Sequence, residues 1–283
     1  MNIEKFTEPI TKLIEVISNS IGVIYEPRRI EQKAKAEAKA TIYQKIGELV
    51  ANELDERALI RFIAKENKRQ INIDNIVKYA ITEMSTKEKV TSEVEPDPDW
   101  ISNFFNLCQD ISNEELQILW GKLLANEVDK PGSFRRRTMH TLKLISPMEA
   151  KWFNALCTNL ITITDEIKSK EKYYCMITQF IPIKKKTALA FSGISSYEMY
   201  RLEEIGLVNS TDYDFKESDG YFLNINGKTY KSVQGVDYYL PTYTLTLIGE
   251  NILSAINVES NKKYLKICKD FLLERKFISK IRI

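Results

Sequence analysis

Residues 97–127 have the sequence DPDWISNFFNLCQDISNEELQILWGKLLANE, which predicts two consecutive amphipathic helices. Asp99 is a candidate N-cap for the first helix, and Ser112, followed three residues later by Glu115, has the spacing of a capping box for the second. The bulky apolar residues that recur at helical spacing include Trp100, Ile101, Phe104, Phe105, Leu116, Trp120 and Leu123. Such faces have to be buried, so we expect these helices to belong to a bundle.

Two more helices complete the predicted central bundle, which spans residues 99–165. Pro131-Gly132 ends the second helix, and Ser133 is a candidate cap for the third. Ser146-Pro147-Met148-Glu149 is another capping box, with proline at the first helical position. We therefore predict four short helices with aromatic faces.

The N-terminal residues 1–84 are predicted to be helical and to drive oligomerisation. Apolar side chains within residues 3–24 follow a nearly heptad spacing for about three repeats, which is typical of a helix–helix interface. Pro9 predicts that this helix begins there, after a Thr7 cap. The candidate oligomerisation residues of this stripe are Ile10, Leu13, Ile17, Ile21 and Ile24.

Further helices are predicted between this stripe and the bundle. A long helix over residues 28–68 begins with alternating Ala, Lys and Glu, and a short one follows over residues 72–84. The polar, proline-containing segment 85–98 is predicted to be a linker.

The last third of the chain, residues 166–283, changes to β-type patterns and is predicted to be a winged-helix-like α+β domain. A helix over residues 195–205 is expected to end at Gly206, with a strand starting at Leu207. Asn226-Gly227 predicts the turn of a hairpin. Another strand over residues 236–247, a helix from Gly249 and a terminal helix over residues 260–277 are predicted to follow. The fold class is therefore mainly α with an α+β C-terminal part.

Composition limits the function. The chain has 283 residues, 43% of them hydrophobic, so it has room for about two domains with real cores. Lys and Arg number 41 against 39 Asp and Glu, a near balance that argues against a protein devoted to coating nucleic acid. The four cysteines are scattered among apolar neighbours, which predicts buried free thiols in a reducing compartment. With no apolar run of membrane-spanning length, we expect a cytoplasmic protein.

Signatures of catalysis are weak. His140 is the single histidine, so hydrolysis by a serine or cysteine with an imidazole base has one candidate residue. The phosphate-binding P-loop and the dinucleotide glycine pattern do not occur in the sequence. Glu95, Asp97 and Asp99 have neither the other ligands nor the turn glycine of a calcium loop. We therefore predict a protein that is not an enzyme and uses no cofactor.

Two basic clusters are candidate partner-binding sites. Arg135 and Arg136, with Arg137, stand at a predicted helix start, where cations oppose the helix dipole. They are expected either to pair with Glu114, Glu115 or Glu127 of the preceding helix or to meet a phosphate or an acidic protein. On the terminal helix, one face carries three lysines, which suits a solvated face, nucleic acid, an acidic partner or anionic lipid. These three are Lys262, Lys266 and Lys269.

The helix over residues 195–205 is the candidate recognition helix of the winged-helix-like domain. Tyr197, Tyr200 and Arg201 are its candidate contact residues. A face that binds DNA should be basic, yet Glu203 and Glu204 follow directly. Aromatic side chains are enriched at protein interfaces, so contact with a protein is favoured over contact with a duplex.

A series of motifs resembles an uncharacterised bacterial domain-of-unknown-function family, number 2806. In order, they are Asp99-Trp100, Gln117-x-x-Trp120, Leu124-Ala125-x-Glu127 and Pro131-Gly132-Ser133-Phe134. The resemblance covers about residues 20–160, and Asn126 stands where the family pattern has glycine. It implies a setting in anti-phage defence loci and a helical core similar to that of abortive-infection proteins. The family has no assigned catalytic residues, so none are transferred to this chain.

Together these observations predict a non-enzymatic, oligomerising component of a bacterial anti-phage defence system. Its partners are expected to be copies of itself and a protein or phage component that the C-terminal domain recognises, with nucleic acid bound weakly. One alternative is an abortive-infection effector that engages a membrane surface through the N-terminal amphipathic helix. Another is a DNA-binding regulator.

Overall fold

The computed structural model describes most of the chain and divides it into two compact units, residues 1–143 and 144–283. The described residues are 7–21, 56–88, 92–165, 171–176, 182–183, 186–187, 192–214, 221–233 and 239–280. Ile24 and the first part of the predicted helix over 28–68 lie outside them. The predicted linker 85–98 lies inside the first unit, whereas the helix with Trp152 lies in the second.

The first unit is helical. Its helices are α1 (Glu8–Ile21), α2 (Glu56–Met84), α3 (Pro98–Cys108), α4 (Glu114–Asp129) and α5 (Arg136–Leu144), the last of which ends at the boundary between the units. Helices α1 and α2 both pack against α3 and α4. The fully buried side chains of the core include Leu13, Ile17, Ile76, Phe104 and Trp120. Trp100 and Trp120 are 4% and 0% exposed, which confirms that the aromatic faces of α3 and α4 are buried.

The tightest constraint on the first unit lies at Gly121, where α4 meets α2. A Cβ atom on Gly121 would stand 2.6 Å from the Cβ of Tyr79 and 2.8 Å from the carbonyl oxygen of Ile76. Real Cβ atoms do not approach other atoms so closely, so the crossing of the two helices requires a glycine. The helices can then bring their backbones together.

The predicted break between residues 68 and 72 is wrong, because α2 is one continuous helix of 29 residues. Asn72 has weak helix propensity and so suggested an end. In the structure its buried amide donates to the Gln109 carbonyl oxygen at 2.8 Å, and its oxygen accepts from Gln117 at 3.2 Å. Since the side chain is satisfied by other helices, it does not compete for its own backbone.

Two predicted helix caps are wrong by one or two residues. Asp97, not Asp99, caps α3: Pro98 holds the first helical position, and the Asp97 carboxylate accepts from the Asp99 amide. Asn113, not Ser112, caps α4, and the Ser112 hydroxyl lies 3.4 Å from the Asn72 amide instead. The capping box at Ser146 is confirmed.

The second unit is built on a seven-stranded antiparallel sheet. Its strands are β1 (Ile161–Asp165), β2 (Glu171–Met176), β5 (Val208–Asp214), β6 (Tyr221–Ile225), β7 (Lys228–Ser232), β8 (Tyr239–Leu245) and β9 (Ile278–Lys280), and β3 (Pro182–Ile183) pairs separately with β4 (Lys186–Thr187). The order across the sheet is β5-β8-β2-β1-β6-β7-β9. The helices of this unit are α6 (Pro147–Cys157), α7 (Ser196–Glu204), α8 (Leu247–Ser254) and α9 (Lys262–Glu274).

Helix α9 supplies much of the core of this unit. Its side chains Tyr264, Leu265, Cys268 and Leu272 belong to one buried cluster with residues of β1, β6 and β7. The hairpin of β6 and β7 turns at Asn226 and Gly227, both with positive φ, as predicted for an Asn-Gly turn. Helix α9 and the β6–β7 hairpin therefore share one cluster of buried apolar side chains, which holds them together.

The predicted fold class, mainly α with an α+β C-terminal part, is confirmed. The elements on which the winged-helix prediction rested, α7, β5 and the returning strand β8, are formed, and β8 pairs with β5 and leads into α8. The hairpin joins β1 instead of β5, and the sheet is larger than the outline suggested. Strand β1 was not predicted, nor was β9, which begins just after Lys276 ends α9 with positive φ.

Replacing Gly121 by alanine should destabilise the protein. In an ordinary helix this change stabilises by about 0.5–1 kcal/mol. Here the new methyl group overlaps Tyr79 and the Ile76 carbonyl, and overpacking of this kind costs about 1–3 kcal/mol. Thermal unfolding of the full chain measures the sign, with Ser102→Ala on the exposed face of α3 as the control. A Gly121→Ala variant that melts above wild type would disprove the tight crossing.

Candidate recognition surfaces

Helix α7 is short but firmly anchored at both ends. Ser195 caps its start through a capping box in which Glu198 bonds back to the Ser195 amide at 2.6 Å. Gly206, with φ +77°, ends it, and the amides of Gly206 and Leu207 donate to the carbonyls of Glu203 and Leu202. Fixed ends hold the side chains of a nine-residue helix in defined directions.

Two tyrosines stand on the outer side of α7. Met199 and Leu202 are fully buried beneath the helix, whereas Tyr197 and Tyr200 are 67% and 53% exposed. They lie three residues apart, so they are neighbours on the helical surface. A rigid helix thus presents two adjacent aromatic side chains outward.

Arg201, the third predicted contact residue of α7, is held by carboxylates of its own unit. Its guanidinium pairs with Glu204 and lies 3.7 Å from Glu149. The same Glu204 carboxylate raises the pKa of the Tyr200 hydroxyl. Glu203 accepts from the Ser210 amide at 2.8 Å. The polar groups of the helix therefore bond largely among themselves.

Of the arginine cluster, Arg136 pairs within the first unit, with aspartates in place of the predicted glutamates. Arg136 bonds to Asp97 at 3.0 Å and lies 3.7 Å from Asp99, so the guanidinium lowers the pKa of Asp97. Arg135 stands just before α5 and is exposed, as is Arg137. The partners of Arg136 are therefore Asp97 and Asp99, at the start of α3.

Glu127 binds backbone amides in place of the predicted ion pair with the arginine cluster. It is 1% exposed, and its two oxygens accept from the amides of Gly132 and Phe134 at 2.7 and 3.0 Å. Burial raises the pKa of Glu127, while the backbone amides lower it. The carbonyl of Phe134 in turn accepts from the indole of Trp100 at 2.9 Å. The motifs at Glu127, at Pro131–Phe134 and at Trp100 are thus parts of one bonded network.

Removing the Glu127 carboxylate should loosen this network. In Glu127→Ala, two backbone amides lose their acceptor, and each unsatisfied donor costs about 1–3 kcal/mol. Glu127→Gln keeps one acceptor oxygen and should fall between the alanine variant and wild type. Urea unfolding measures both, with exposed Glu93→Ala as the control. The network would carry no stability if Glu127→Ala unfolded at the same midpoint as this control.

The apolar stripe of α1 already has a partner in its own unit. Leu13 and Ile17 are 0% exposed and Ile10 is 8% exposed, with α1 packed on α3, α4 and α2. Ile21 ends α1, and its side chain lies outside the described residues, as does Ile24. Three of the five candidate oligomerisation residues are therefore core residues of the first unit.

The candidate lysines of α9 gather around a groove. Lys262, Lys266 and Lys269 line it from the helix, and Lys228 lines it from the hairpin. Lys269 also pairs with Asp270 at 2.9 Å, which raises its pKa. Sequence reasoning did not include Lys228, because the hairpin and the helix are far apart along the chain and meet only through the sheet.

The remaining predictions concern the single histidine, the cysteines, metal binding and membrane spans. His140 is exposed on α5. Cys108, Cys157 and Cys268 are buried thiols, and burial raises the pKa of Cys108. Over the described residues, no group of three or more His, Cys, Asp and Glu side chains is placed to hold a metal ion. None of the helices searched in those ranges combines the length and apolar character needed to cross a bilayer.

A helical unit followed by an α+β unit with an antiparallel sheet defines the class of this protein. Within that class, the chain belongs to the family of proteins of unknown function DUF2806, whose model matches residues 56–269. The match extends through most of α9, well beyond the motifs that carry the resemblance. No curated protein and no solved structure matches the chain.

Proposed function

We propose that this chain is a non-enzymatic component of a bacterial anti-phage defence system, and that it recognises a protein partner through α7. The outward pair Tyr197 and Tyr200 carries this proposal. Tyrosine combines a large contact area with a polar tip, and it is enriched at the centres of protein interfaces. The defence setting is supported by the motif resemblance described above.

The state of Arg201 favours a protein over DNA as the partner of α7. A recognition helix in the major groove needs cations that are free to meet phosphates and base edges. Arg201 is engaged with Glu149 and Glu204, and these carboxylates add negative charge near the same helix. A duplex approaching α7 would therefore meet repulsion, so the regulator alternative is disfavoured at this surface.

A non-enzymatic role is supported by the chemistry of the candidate nucleophiles and bases. The single imidazole, His140, is exposed on α5. The buried thiol of Cys108 has its pKa shifted upward, away from the thiolate that nucleophilic catalysis requires. Recognition and assembly demand neither group.

Self-association remains part of the proposal, but with α2 as its surface. Ile60 and Ile71, each 59% exposed, lie 11 residues apart, which is about three helical turns and places them on one face. An exposed apolar face on a long helix is stabilised by contact with a second copy. The membrane alternative has less support, because α1 would have to withdraw Leu13 and Ile17 from the core to insert them.

The α7 surface is tested by Tyr197→Ser combined with Tyr200→Ser in the native locus during phage challenge. Truncating an interface hot spot costs about 2 kcal/mol, or about 30-fold in affinity, so protection should be lost. Met148→Ser, which changes another exposed apolar residue of the second unit, should keep protection. Full protection by the tyrosine variant, with unchanged expression, would refute the α7 contact.

A labelled duplex provides the second arm of this test. If α7 contacts protein, Arg201→Ala should leave duplex binding unchanged at near-physiological salt. Submicromolar, sequence-selective binding that disappears in Arg201→Ala would instead establish the DNA-binding regulator.

Self-association is tested by light scattering of the full chain at micromolar concentration. Wild type should be oligomeric, and Ile60→Glu with Ile71→Glu should shift it toward monomer, because a charge cannot be buried unpaired in the interface. Val94→Glu places the same charge on another exposed apolar residue of the first unit and should have no effect. A wild-type protein that is already monomeric under these conditions would show that the assembly idea is wrong.

A further inference from the structure

We infer that the groove between α9 and the β6–β7 hairpin binds the phosphate backbone of nucleic acid without reading its sequence. This site is separate from α7 and adds a second activity to the proposed protein contact. The argument rests on the shape of the groove, on its charge and on the spacing of its cations.

The groove is a shallow feature of about 240 Å³ with an apolar floor and a cationic rim. Ile225 and Leu265 form part of the floor and are almost completely buried. Both belong to the core cluster, so the backbone positions that carry the surrounding lysines are anchored to the core. A groove this small and open suits a segment of an extended polymer better than an enclosed small molecule.

The charge of the rim is largely uncompensated. Lys228, Lys262 and Lys266 are exposed, and within the described ranges the recorded carboxylate partner of the rim is Asp270, which bonds to Lys269. The first turn of α9 contains no acidic residue, so the positive end of the helix dipole adds to the same potential. An anion in the groove would therefore meet attraction from the hairpin, the helix side chains and the helix end.

The row of cations is long enough to meet more than one phosphate. Lys262 and Lys269 are seven residues apart on α9, which corresponds to about 10.5 Å along the helix. Phosphates of one DNA strand follow each other every 3.4 Å or so along the duplex axis, so the row spans about three phosphate steps. Lys228 widens the row from the opposite wall.

The residue types of the groove suit contact with phosphate that does not depend on sequence. The cations of this groove are lysines, and a lysine ammonium binds phosphate as a point charge, without the fixed bidentate geometry of an arginine. Tyr230 lines the groove but is 5% exposed, so its ring cannot stack on a base. Contacts of this kind position a nucleic acid and carry no sequence information.

The test uses fluorescence anisotropy with a labelled mixed-sequence duplex and the full chain, over a series of salt concentrations. Wild type should bind with a Kd of about 10⁻⁴–10⁻⁶ M, independent of sequence. The variant Lys228→Gln with Lys262→Gln and Lys266→Gln should bind about tenfold or more weakly, and the salt slope should fall by about 2.7, since each lost phosphate contact removes about 0.9. The three side chains are exposed, so the variant should melt like wild type.

The control variant removes two lysines that do not line the groove, compared with the three that the groove variant removes. Lys231→Gln changes an exposed lysine of the same hairpin that lies over the Phe222 ring, and Lys276→Gln changes one just after α9. This double variant should keep wild-type duplex affinity and salt slope.

Three results would overturn the inference. The first is no duplex binding by wild type at millimolar protein and low salt. The second is binding that the groove variant and the control reduce equally, which would reflect net charge alone. The third is tighter binding of polyglutamate than of the duplex, lost in the groove variant, which would make the groove a site for acidic protein. Each leaves the phage-challenge result for Tyr197 and Tyr200 untouched, so the two proposals fail independently.

Discussion

The crossing of α2 and α4 at Gly121 is the contact on which the first unit depends. Since the two backbones meet there, neighbouring side chains of α4 reach their partners on either side of the crossing. Trp120 packs edge-on against Phe104 with ring centroids 5.2 Å apart, and Gln117 bonds to Asn72 of α2. If the helices stood further apart, the aromatic layer and the buried amides would both lose their partners.

Near its C-terminal end, α4 also fixes the conformation of the loop that follows it. The Glu127 carboxylate accepts hydrogen bonds from the backbone amides of Gly132 and Phe134. In the same loop, the Phe134 carbonyl accepts a hydrogen bond from the Trp100 indole of α3. A buried carboxylate is unfavourable unless it is hydrogen-bonded, so the loop has to adopt the one shape that satisfies it. The motifs at Glu127, at Pro131–Phe134 and at Trp100 therefore have a structural explanation.

In the second unit, the same helices contribute to the core and to the exposed surface. Helices α7 and α9 each bury one face on the sheet and leave the other outside, so the same helices that stabilise the unit also present its candidate contacts. On α7 the outward side chains are aromatic and the cation is neutralised by carboxylates. On α9 they are cationic and border a groove. The two surfaces are chemically distinct, which is why we propose a different partner for each.

Local patterns in the sequence determined the types of the main elements. The Ser146 capping box, the Gly206 stop and the Asn226-Gly227 turn are short-range devices, and each forms as predicted because its atoms lie within a few residues of one another. The burial of Trp100 and Trp120 followed from helical spacing for the same reason.

Tertiary structure decided what depended on distant residues. Asn72 continues a helix because Gln109 and Gln117 satisfy it, Arg136 pairs with Asp97, and the stripe of α1 is covered by its own unit. Lys228 joined the candidate site only because β1, β6 and β7 place the hairpin beside α9. A single sequence shows the propensity and periodicity of each segment, but the partner of a side chain across the core is set by packing, which couples residues that sequence spacing does not relate.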